Sequence, residues 1–239
     1  LRKFYQDFDW RRIQSSWGQS WGGTDMQWFG TILPRIHAFL PARSILEIGP
    51  GHGRLSGYLR AYCDRLVLAD MTPNAVAACR RLFAGDRGVT VIQTDGLTVP
   101  GVKGKRFDLV FSFFSLVHAD PRTMRGYVAD LALQLSRDGV AFLHHSNAGT
   151  CRTGDPERDA ALNDFRSIDT TAETVRQAAT DAGLSCCGQE VFGWDAGTAL
   201  TDCFSVVVRR NSRWDHFHRC IRNPQFAREA AGWNRLASL

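Results

Sequence analysis

Apolar residues recur every three or four positions in the first clearly patterned segment of the chain, from Met26 to Leu40. This is the period of one helix face, and Pro41 follows where such a helix has to end. The next segment, Ser44 to Ile48, is short and mostly apolar, and it leads directly into a run of glycines. This pattern predicts a helix followed by a buried strand.

Helix-like and strand-like segments then alternate along the chain. Short apolar runs predict strands at 44–48, 66–69, 89–93, 107–113, 140–143, 185–192 and 203–208. Apolar residues at helical spacing predict helices at 55–62, 75–83, 121–135 and 171–182. Because parallel strands need a crossing helix between them, this order predicts an α/β fold: a doubly wound, mainly parallel sheet of seven strands.

The two ends of the chain lack this alternation. Residues 1–25 are rich in Trp and Gly and are expected to form a cap or lid. In it, Trp17 and Trp21 either close over a ligand or anchor the segment in the core, and the second interpretation is favoured. The tail is expected to form one or two helices, with a break at Asn223-Pro224. We therefore divide the chain into a cap (1–25), a main domain (26–210) and a helical extension (211–239).

Composition narrows the class of protein. The 239 residues suffice for one α/β domain, and the apolar runs are too short to cross a bilayer. The N-terminus lacks the features of a secretory signal, so we expect a cytoplasmic protein without a membrane partner. The net charge of +5 comes from basic residues interspersed with acidic ones, and we expect no nucleic-acid partner.

The cysteines and histidines do not predict a metal site. Seven cysteines form no C-x-x-C pair, and their odd number argues against a complete disulfide framework. In the tail, His216, His218 and Cys220 would not share one face of a helix. We expect no bound metal.

A glycine-rich turn follows the first predicted strand, in the segment Glu47-Ile48-Gly49-Pro50-Gly51-His52-Gly53. Glycine has no Cβ atom, so the backbone amides of such a turn can approach a ligand closely. Asp70 comes 21 residues after Gly49, at the end of the second strand, where it can accept hydrogen bonds from ribose hydroxyls. This arrangement predicts a nucleotide-like ligand at the carboxyl ends of the strands.

A dinucleotide dehydrogenase is the main rival interpretation of this turn. Its fingerprint, G-x-G-x-x-G, requires glycine where this chain has Arg54, and it also requires a substrate region of comparable size. A tight connection without a ligand is the plainer alternative, and Asp70 and Asp95 argue against it. The glycine spacing therefore favours a sulfonium nucleoside over a pyrophosphate.

These residues resemble the class I S-adenosylmethionine-dependent methyltransferases over about residues 26–210. The resemblance implies that the aminoacyl end of S-adenosylmethionine is surrounded by Glu47, Gly49, Gly51 and Gly53. It also implies that the ribose is held by Asp70, and that the adenine is met by Met71, Asp95 and Gly96.

A narrower resemblance points to bacterial small-molecule methyltransferases of sugar and natural-product pathways. It rests on the segments 111–118, 144–147, 165–167 and 201–205. Those relatives often carry an aspartate where this chain has Phe114, so a carboxylate base or a metal is not expected there.

Methyl transfer needs an acceptor lone pair in line with the methyl carbon, and a hydroxyl acceptor must also lose a proton. The candidate bases are His118, His144 and His145, near the ends of predicted strands. Adjacent strand residues face opposite ways, so at most one of the last two can reach the site. We assign the catalytic role to His145, with His118 as the second candidate.

The function predicted from the sequence is O-methylation of a sugar or of a glycosylated small-molecule natural product, including antibiotics. N-methylation of an amino sugar or other small amine is the nearest alternative, and a non-catalytic protein that retains the fold is a third. Nucleobase methylation is disfavoured because no Asn/Asp-Pro-Pro-aromatic run follows the fourth strand. The expected partner is a small-molecule acceptor, and a homodimer is compatible with the sequence.

Overall fold

The computed structural model describes residues 18–99, 102, 104–162, 166–194, 198–216 and 218–238. Its centre is one eight-stranded sheet in the order β3-β2-β1-β4-β5-β7-β6-β8. The strands are β1 (Ala42–Ile48), β2 (Cys63–Asp70), β3 (Val89–Gln93), β4 (Phe107–Leu116), β5 (Leu135–Ser146), β6 (Leu184–Phe192), β7 (Asp202–Arg209) and β8 (Arg219–Asn223). Among these strands, β7 alone runs antiparallel to its neighbours. The predicted doubly wound, mainly parallel fold is confirmed.

Helices cover both faces of the sheet. They are α1 (Thr24–Gln27), α2 (Leu33–Ile36), α3 (Ser56–Arg60), α4 (Pro73–Leu82), α5 (Pro121–Gln134), α6 (Pro156–Leu162), α7 (Ala172–Asp181) and α8 (Phe226–Ala237). A π-helical turn, Trp28–Ile32, joins α1 to α2 in the segment predicted as a single helix. Side chains cap the starts of three helices: Asp120 accepts from the Thr123 amide, Asp155 accepts from the Glu157 amide, and Thr171 forms a capping box with Thr174.

The core has two halves because adjacent residues of each strand face opposite sides of the sheet. On β1, Ile45 packs toward the N-terminal helices, whereas Leu46 packs toward the face covered by α5 and α7. Both side chains are fully buried. The buried apolar residues from which the strands were predicted are therefore the residues that hold the strands in place.

The two ends of the described chain pack together over one face. Trp21 is 1% exposed, and its ring lies against Trp194 and Phe226. Its indole N–H donates to the Thr31 hydroxyl at 2.9 Å. The core-anchor interpretation of Trp21 is thus confirmed, whereas Trp17 lies outside the described residues.

The strand count and the nature of the tail were predicted wrongly. Residues 219–223 form β8, which pairs in parallel with β6, so the extension 211–239 is a strand followed by α8 rather than helix alone. Four of the five side chains of β8 are exposed, including Ile221. An exposed edge strand buries no apolar face, so the chain carries no alternation there that could predict it.

Candidate active-site cleft

A cleft of about 490 Å³ opens at the carboxyl ends of β1, β2, β3 and β4. It is lined by parts of the segments 47–55, 69–72, 94–97, 113–120 and 123–127. In the sheet, β1 lies between β2 and β4, so the winding direction reverses at this point. Ligands of open α/β sheets bind at such a reversal.

The glycine turn forms one wall of this cleft. Gly49 and Gly51 have φ values of 69° and 57°, in the left-handed region that favours glycine. The Gly49 amide donates to the carbonyl of Ala69 at 2.8 Å, which ties the turn to the end of β2. Both glycines line the cleft.

Gly53 lies outside the cleft lining, and its contact with the cofactor stays a prediction. Its φ is 84°, and a Cβ atom added to it would come within 2.7 Å of a methyl group of Leu82 on α4. Glycine at this position therefore allows the turn to pack against a helix.

Asp70 organises the turn from the end of β2 and is only 8% exposed. Its Oδ2 atom accepts from the Gly51 amide at 3.2 Å, and its Oδ1 atom accepts from the amide and the hydroxyl of Thr72 at 2.8 and 2.9 Å. Burial raises the pKa of this carboxyl group. Each carboxylate oxygen can accept about two hydrogen bonds, so Oδ2 can also accept from a ligand hydroxyl.

A second buried carboxylate, Glu47, lies at the end of β1 and is 3% exposed. It accepts a hydrogen bond of 2.6 Å from the Ser56 hydroxyl, and burial raises its pKa to about 7. The guanidinium of Arg54 also lines the cleft and interacts electrostatically with Glu47. Arg54 in turn donates to the side-chain oxygen of Gln27 at 2.6 Å. This end of the cleft thus offers one acid and one cation.

The opposite end of the cleft is formed by Met71, Asp95 and Gly96. A Cβ atom on Gly96 would lie 2.6 Å from the Met71 sulfur, so the thioether packs directly on this glycine. Asp95 is exposed, and its Oδ1 atom accepts from the amides of Leu97 and Thr98, both at 2.8 Å. These bonds hold the pKa of Asp95 below its usual range and keep it ionised.

The remaining wall is an irregular part of β4. The pairing of β4 with β5 shifts between Ser112 and Leu116, and Phe114 has a φ of 56°. Phe113, Phe114 and Ser115 all line the cleft as a result. A shift of this kind re-aims side chains that would otherwise alternate across the sheet.

His118, which follows β4, lines the cleft and is half-buried. Its ring lies edge-on to that of Phe114, with centroids 6.4 Å apart. The structure therefore brings this candidate base together with the predicted cofactor residues.

His145, to which the sequence analysis assigned the catalytic role, lies away from the cleft and from the other predicted site residues. Its side chain is fully buried and lies outside the cleft lining, within hydrogen-bonding distance of the Ser146 carbonyl and the Ser205 hydroxyl, both at 2.8 Å. Burial lowers its pKa to about 4. β5 continues to Ser146, so the backbone does not turn before His145, and its side chain shares the face of Ala141 and Leu143.

Several cleft residues were not singled out from the sequence, among them Arg54, Thr72 and Tyr127. Arg54 was treated only as a mismatch to the dehydrogenase fingerprint, and Thr72 was not considered. Tyr127, on α5, is buried and lines the cleft, but within the helical pattern it resembles any core position. Thr72 precedes Pro73 at the N-cap of α4. This position could have predicted that its hydroxyl lies near the strand ends.

Within the described residues, no helix is both long and apolar enough to cross a membrane. The same part of the chain holds no group of three His, Cys, Asp or Glu side chains arranged to bind a metal ion.

One known protein family matches the part of the chain that forms this cleft. Residues 45–139, which include the glycine turn, Asp70, Asp95 and His118, match a family model described as a methyltransferase domain. The small subunit ribosomal RNA methyltransferase A of Geobacter sulfurreducens is 40% identical over 68 residues, which are 27% of this chain and 25% of that protein. The chain thus matches only about a quarter of the length of this curated relative.

Solved structures share the fold over a much larger part of the chain. Magnesium protoporphyrin IX methyltransferase from Synechocystis PCC 6803, solved with S-adenosylhomocysteine bound, has a TM-score of 0.60 at 18% identity and covers 87% of this chain and 97% of its own. The N-methyltransferase NodS from Bradyrhizobium japonicum WM9, in complex with the same ligand, has a TM-score of 0.57 at 17% identity, covering 86% and 90%. At these identities the likeness establishes the shared fold.

Proposed function

We propose that this chain, whose residues 45–139 match a methyltransferase domain and whose fold is shared with methyltransferases of known structure, is an enzyme that transfers a methyl group from S-adenosylmethionine to a small molecule. The observation that carries the proposal is the cleft at the sheet reversal, where a glycine turn and Asp70 meet. Close-approaching backbone on one side and a carboxylate on the other suit a nucleoside with an aminoacyl arm.

The charged groups of the cleft suggest how the cofactor lies. Its ammonium group would pair with Glu47 and its carboxylate with Arg54, since these are the acid and the cation at the glycine-turn end. Asp70 would accept from a ribose hydroxyl. The adenine would rest against Met71, with its amino group donating to Oδ2 of Asp95, which also accepts from the Thr98 hydroxyl at 3.3 Å. Gly49 and Gly51 would leave room for the aminoacyl arm.

The acceptor would bind between the β4 wall and His118. Phe113, Phe114 and Leu116 make this wall mostly apolar, which suits the CH face of a sugar ring and keeps water from the sulfonium. His118 would take the hydroxyl proton during transfer. We therefore favour O-methylation of a sugar or of a glycosylated natural product. We place the activity in cytoplasmic natural-product and antibiotic biosynthesis. The homodimer stays a prediction, which light scattering would test.

Two measurements test this function. Calorimetry with S-adenosylhomocysteine should give one binding site per chain, and no heat of binding would mean a non-catalytic protein that retains the fold. Incubation with methyl-labelled S-adenosylmethionine and a panel of glycosides, polyketides and amines should then label a glycoside. Label on an amine alone would establish the N-methyltransferase alternative, and label on a ribosomal RNA fragment included in the panel would contradict the small-molecule assignment.

A further inference from the structure

Phe114 combines an unusual backbone conformation with a position on the proposed acceptor wall. Its φ of 56° lies in the left-handed region, which residues with a Cβ atom rarely adopt. Conformations of this kind persist when the surrounding structure holds them, and they concentrate at functional sites. The contacts that hold Phe114 therefore bear on the acceptor site.

A histidine on the next strand holds this backbone. The Phe114 amide donates to the Nδ1 atom of His144 at 3.1 Å. Because Nδ1 accepts, the proton of the neutral ring must be on Nε2, and Nε2 donates to Oδ1 of Asp202 at 3.0 Å. The His144 and Asp202 side chains are both fully buried, and burial lowers the pKa of His144, which favours this neutral form.

The charge of Asp202 is balanced from the opposite side. Its Oδ2 atom accepts from Nε of Arg166 at 2.8 Å and from the Thr201 hydroxyl at 2.7 Å. Arg166 is only 7% exposed, and its guanidinium carbon lies 6.0 Å from the centre of the Phe114 ring. The chain of contacts thus begins and ends at Phe114, from its amide through His144 and Asp202 to Arg166 and back to its ring.

The residues that follow Arg166 hold the rest of the acceptor wall. The Ser167 amide donates to the carbonyl of Val117 at 2.9 Å, and the Thr170 hydroxyl donates to the carbonyl of Ala119 at 2.8 Å. These carbonyls flank His118 on both sides. The segment 166–170 therefore fixes the backbone on which the candidate base is mounted.

We propose that His144, Asp202 and Arg166 form a positioning relay that sets the shape of the acceptor wall, so that they determine methyl transfer without touching the reacting atoms. A buried ion pair such as Arg166–Asp202 adds little to the stability of the fold, because the cost of removing two charges from water offsets most of their attraction. A role in fixing the strained backbone at Phe114 accounts for the burial of Arg166 and Asp202. This inference rests on the proposed methyltransferase function.

The wild-type protein gives the first test. With ring-¹⁵N-labelled histidine, the nitrogen shifts of His144 should report a neutral ring with Nε2 protonated and Nδ1 unprotonated from pH 6 to 8. A proton on Nδ1 would overturn the proposal, because the Phe114 amide would then have no acceptor on this ring.

Variants supply the second test. His144→Ala should accelerate amide exchange at Phe114 and lower labelled methyl transfer to the glycoside and amine panel, each by roughly tenfold or more, the range for loss of one positioned contact. His144→Asn keeps an acceptor at the Nδ1 position but lacks the Nε2 donor to Asp202, so it should restore most of the Phe114 exchange protection and only part of the transfer rate. His37→Asn is the matched control, because this histidine is exposed and lies outside the cleft lining, and it should change neither.

Binding of S-adenosylhomocysteine distinguishes the relay proposal from the proposed methyltransferase function. Calorimetry should give nearly the same dissociation constant for wild type, His144→Ala and His144→Asn, since the relay lies on the acceptor side. Unchanged Phe114 exchange in His144→Ala, or failure of His144→Asn to restore it, would overturn the relay even though the cofactor binds. If the wild type does not bind S-adenosylhomocysteine while the ¹⁵N shifts and the exchange rates follow the pattern above, the proposed function fails and the structural relay stands.

Discussion

The side chain of Ser115 occupies the space that a Cβ atom on Gly49 would need. The β4 wall and the glycine turn therefore touch, and each limits the position of the other. Gly49→Ala should displace Ser115 and shift the turn, and we expect at least about tenfold weaker binding of S-adenosylhomocysteine, or roughly 1.4 kcal/mol, by calorimetry.

Two further variants control this experiment. Adding Ser115→Gly to Gly49→Ala should recover part of the affinity, because it removes the obstructing side chain. Gly57→Ala should leave affinity unchanged, since nothing lies within 4 Å of its added Cβ atom. Wild-type affinity in Gly49→Ala alone would show that the contact does not constrain the turn.

Glu47 should make the stability of the ligand-free protein depend on pH. Its pKa is raised from 4.5 to about 7, so the folded chain binds a proton that the unfolded chain has lost in this range. Stability should therefore fall as pH rises from about 4.5 to about 7, and Glu47→Gln should remove about 3 kcal/mol of that fall. Urea unfolding of both proteins at pH 5, 6 and 8 measures the difference, and parallel curves would contradict the assigned burial effect.

The same carboxyl group should couple cofactor binding to proton release. If the cofactor ammonium pairs with Glu47, binding below pH 7 must ionise this group. Calorimetry at pH 6 in buffers of different ionisation enthalpy should then detect proton release on binding of S-adenosylhomocysteine. The release should disappear by pH 8.5 and should be absent at both pH values in Glu47→Gln. Equal release at pH 6 and 8.5 would place the proton elsewhere.

His118 and His145 should behave differently when they are replaced. His118→Ala should lower methyl transfer to a hydroxyl acceptor by about 10² to 10⁴, the usual contribution of a general base, with nearly unchanged affinity for S-adenosylhomocysteine. His145→Asn should retain most of the transfer rate because this side chain does not reach the cleft. The opposite result, with His145 essential and His118 dispensable, would show that His145 is the catalytic base, as the sequence analysis assigned it.

The C-terminal helix should contribute to the stability of the main domain. Arg35 bonds to Glu190 on β6 and to Glu229 on α8, at 2.7 and 3.0 Å, with 17% of its side chain exposed. Arg35→Met should lower the free energy of unfolding by about 2 kcal/mol, because it leaves two partly buried carboxylates without their cation. Arg176→Met removes the exposed pair with Glu173 and should cost less than about 0.5 kcal/mol. Equal losses in urea unfolding would argue that the tail is not held by this contact.

Features that depend on buried apolar runs and on glycine could be predicted from the sequence. All seven predicted strands are present, and the turn at Gly49 and Gly51 meets Asp70 as expected. These features depend on local pattern. The edge strand β8 buries no side-chain face, so its residues carried no comparable pattern.

The choice among histidines could not be made from spacing alone. Strand alternation separates His144 from His145, but it does not say which of them faces the cleft side of the sheet. The structure places His144 on the face of Val140 and Phe142, under Phe114. The β4 irregularity that directs Phe114 into the cleft arises from contacts with residues 28 or more positions away, which no local pattern encodes.

A crystal structure of the chain with S-adenosylhomocysteine tests the central proposal most directly. We expect one molecule in the cleft, with a ribose hydroxyl donating to Oδ2 of Asp70 and the aminoacyl end between Glu47 and Arg54. Binding at another surface, or an empty cleft at saturating ligand, would contradict it.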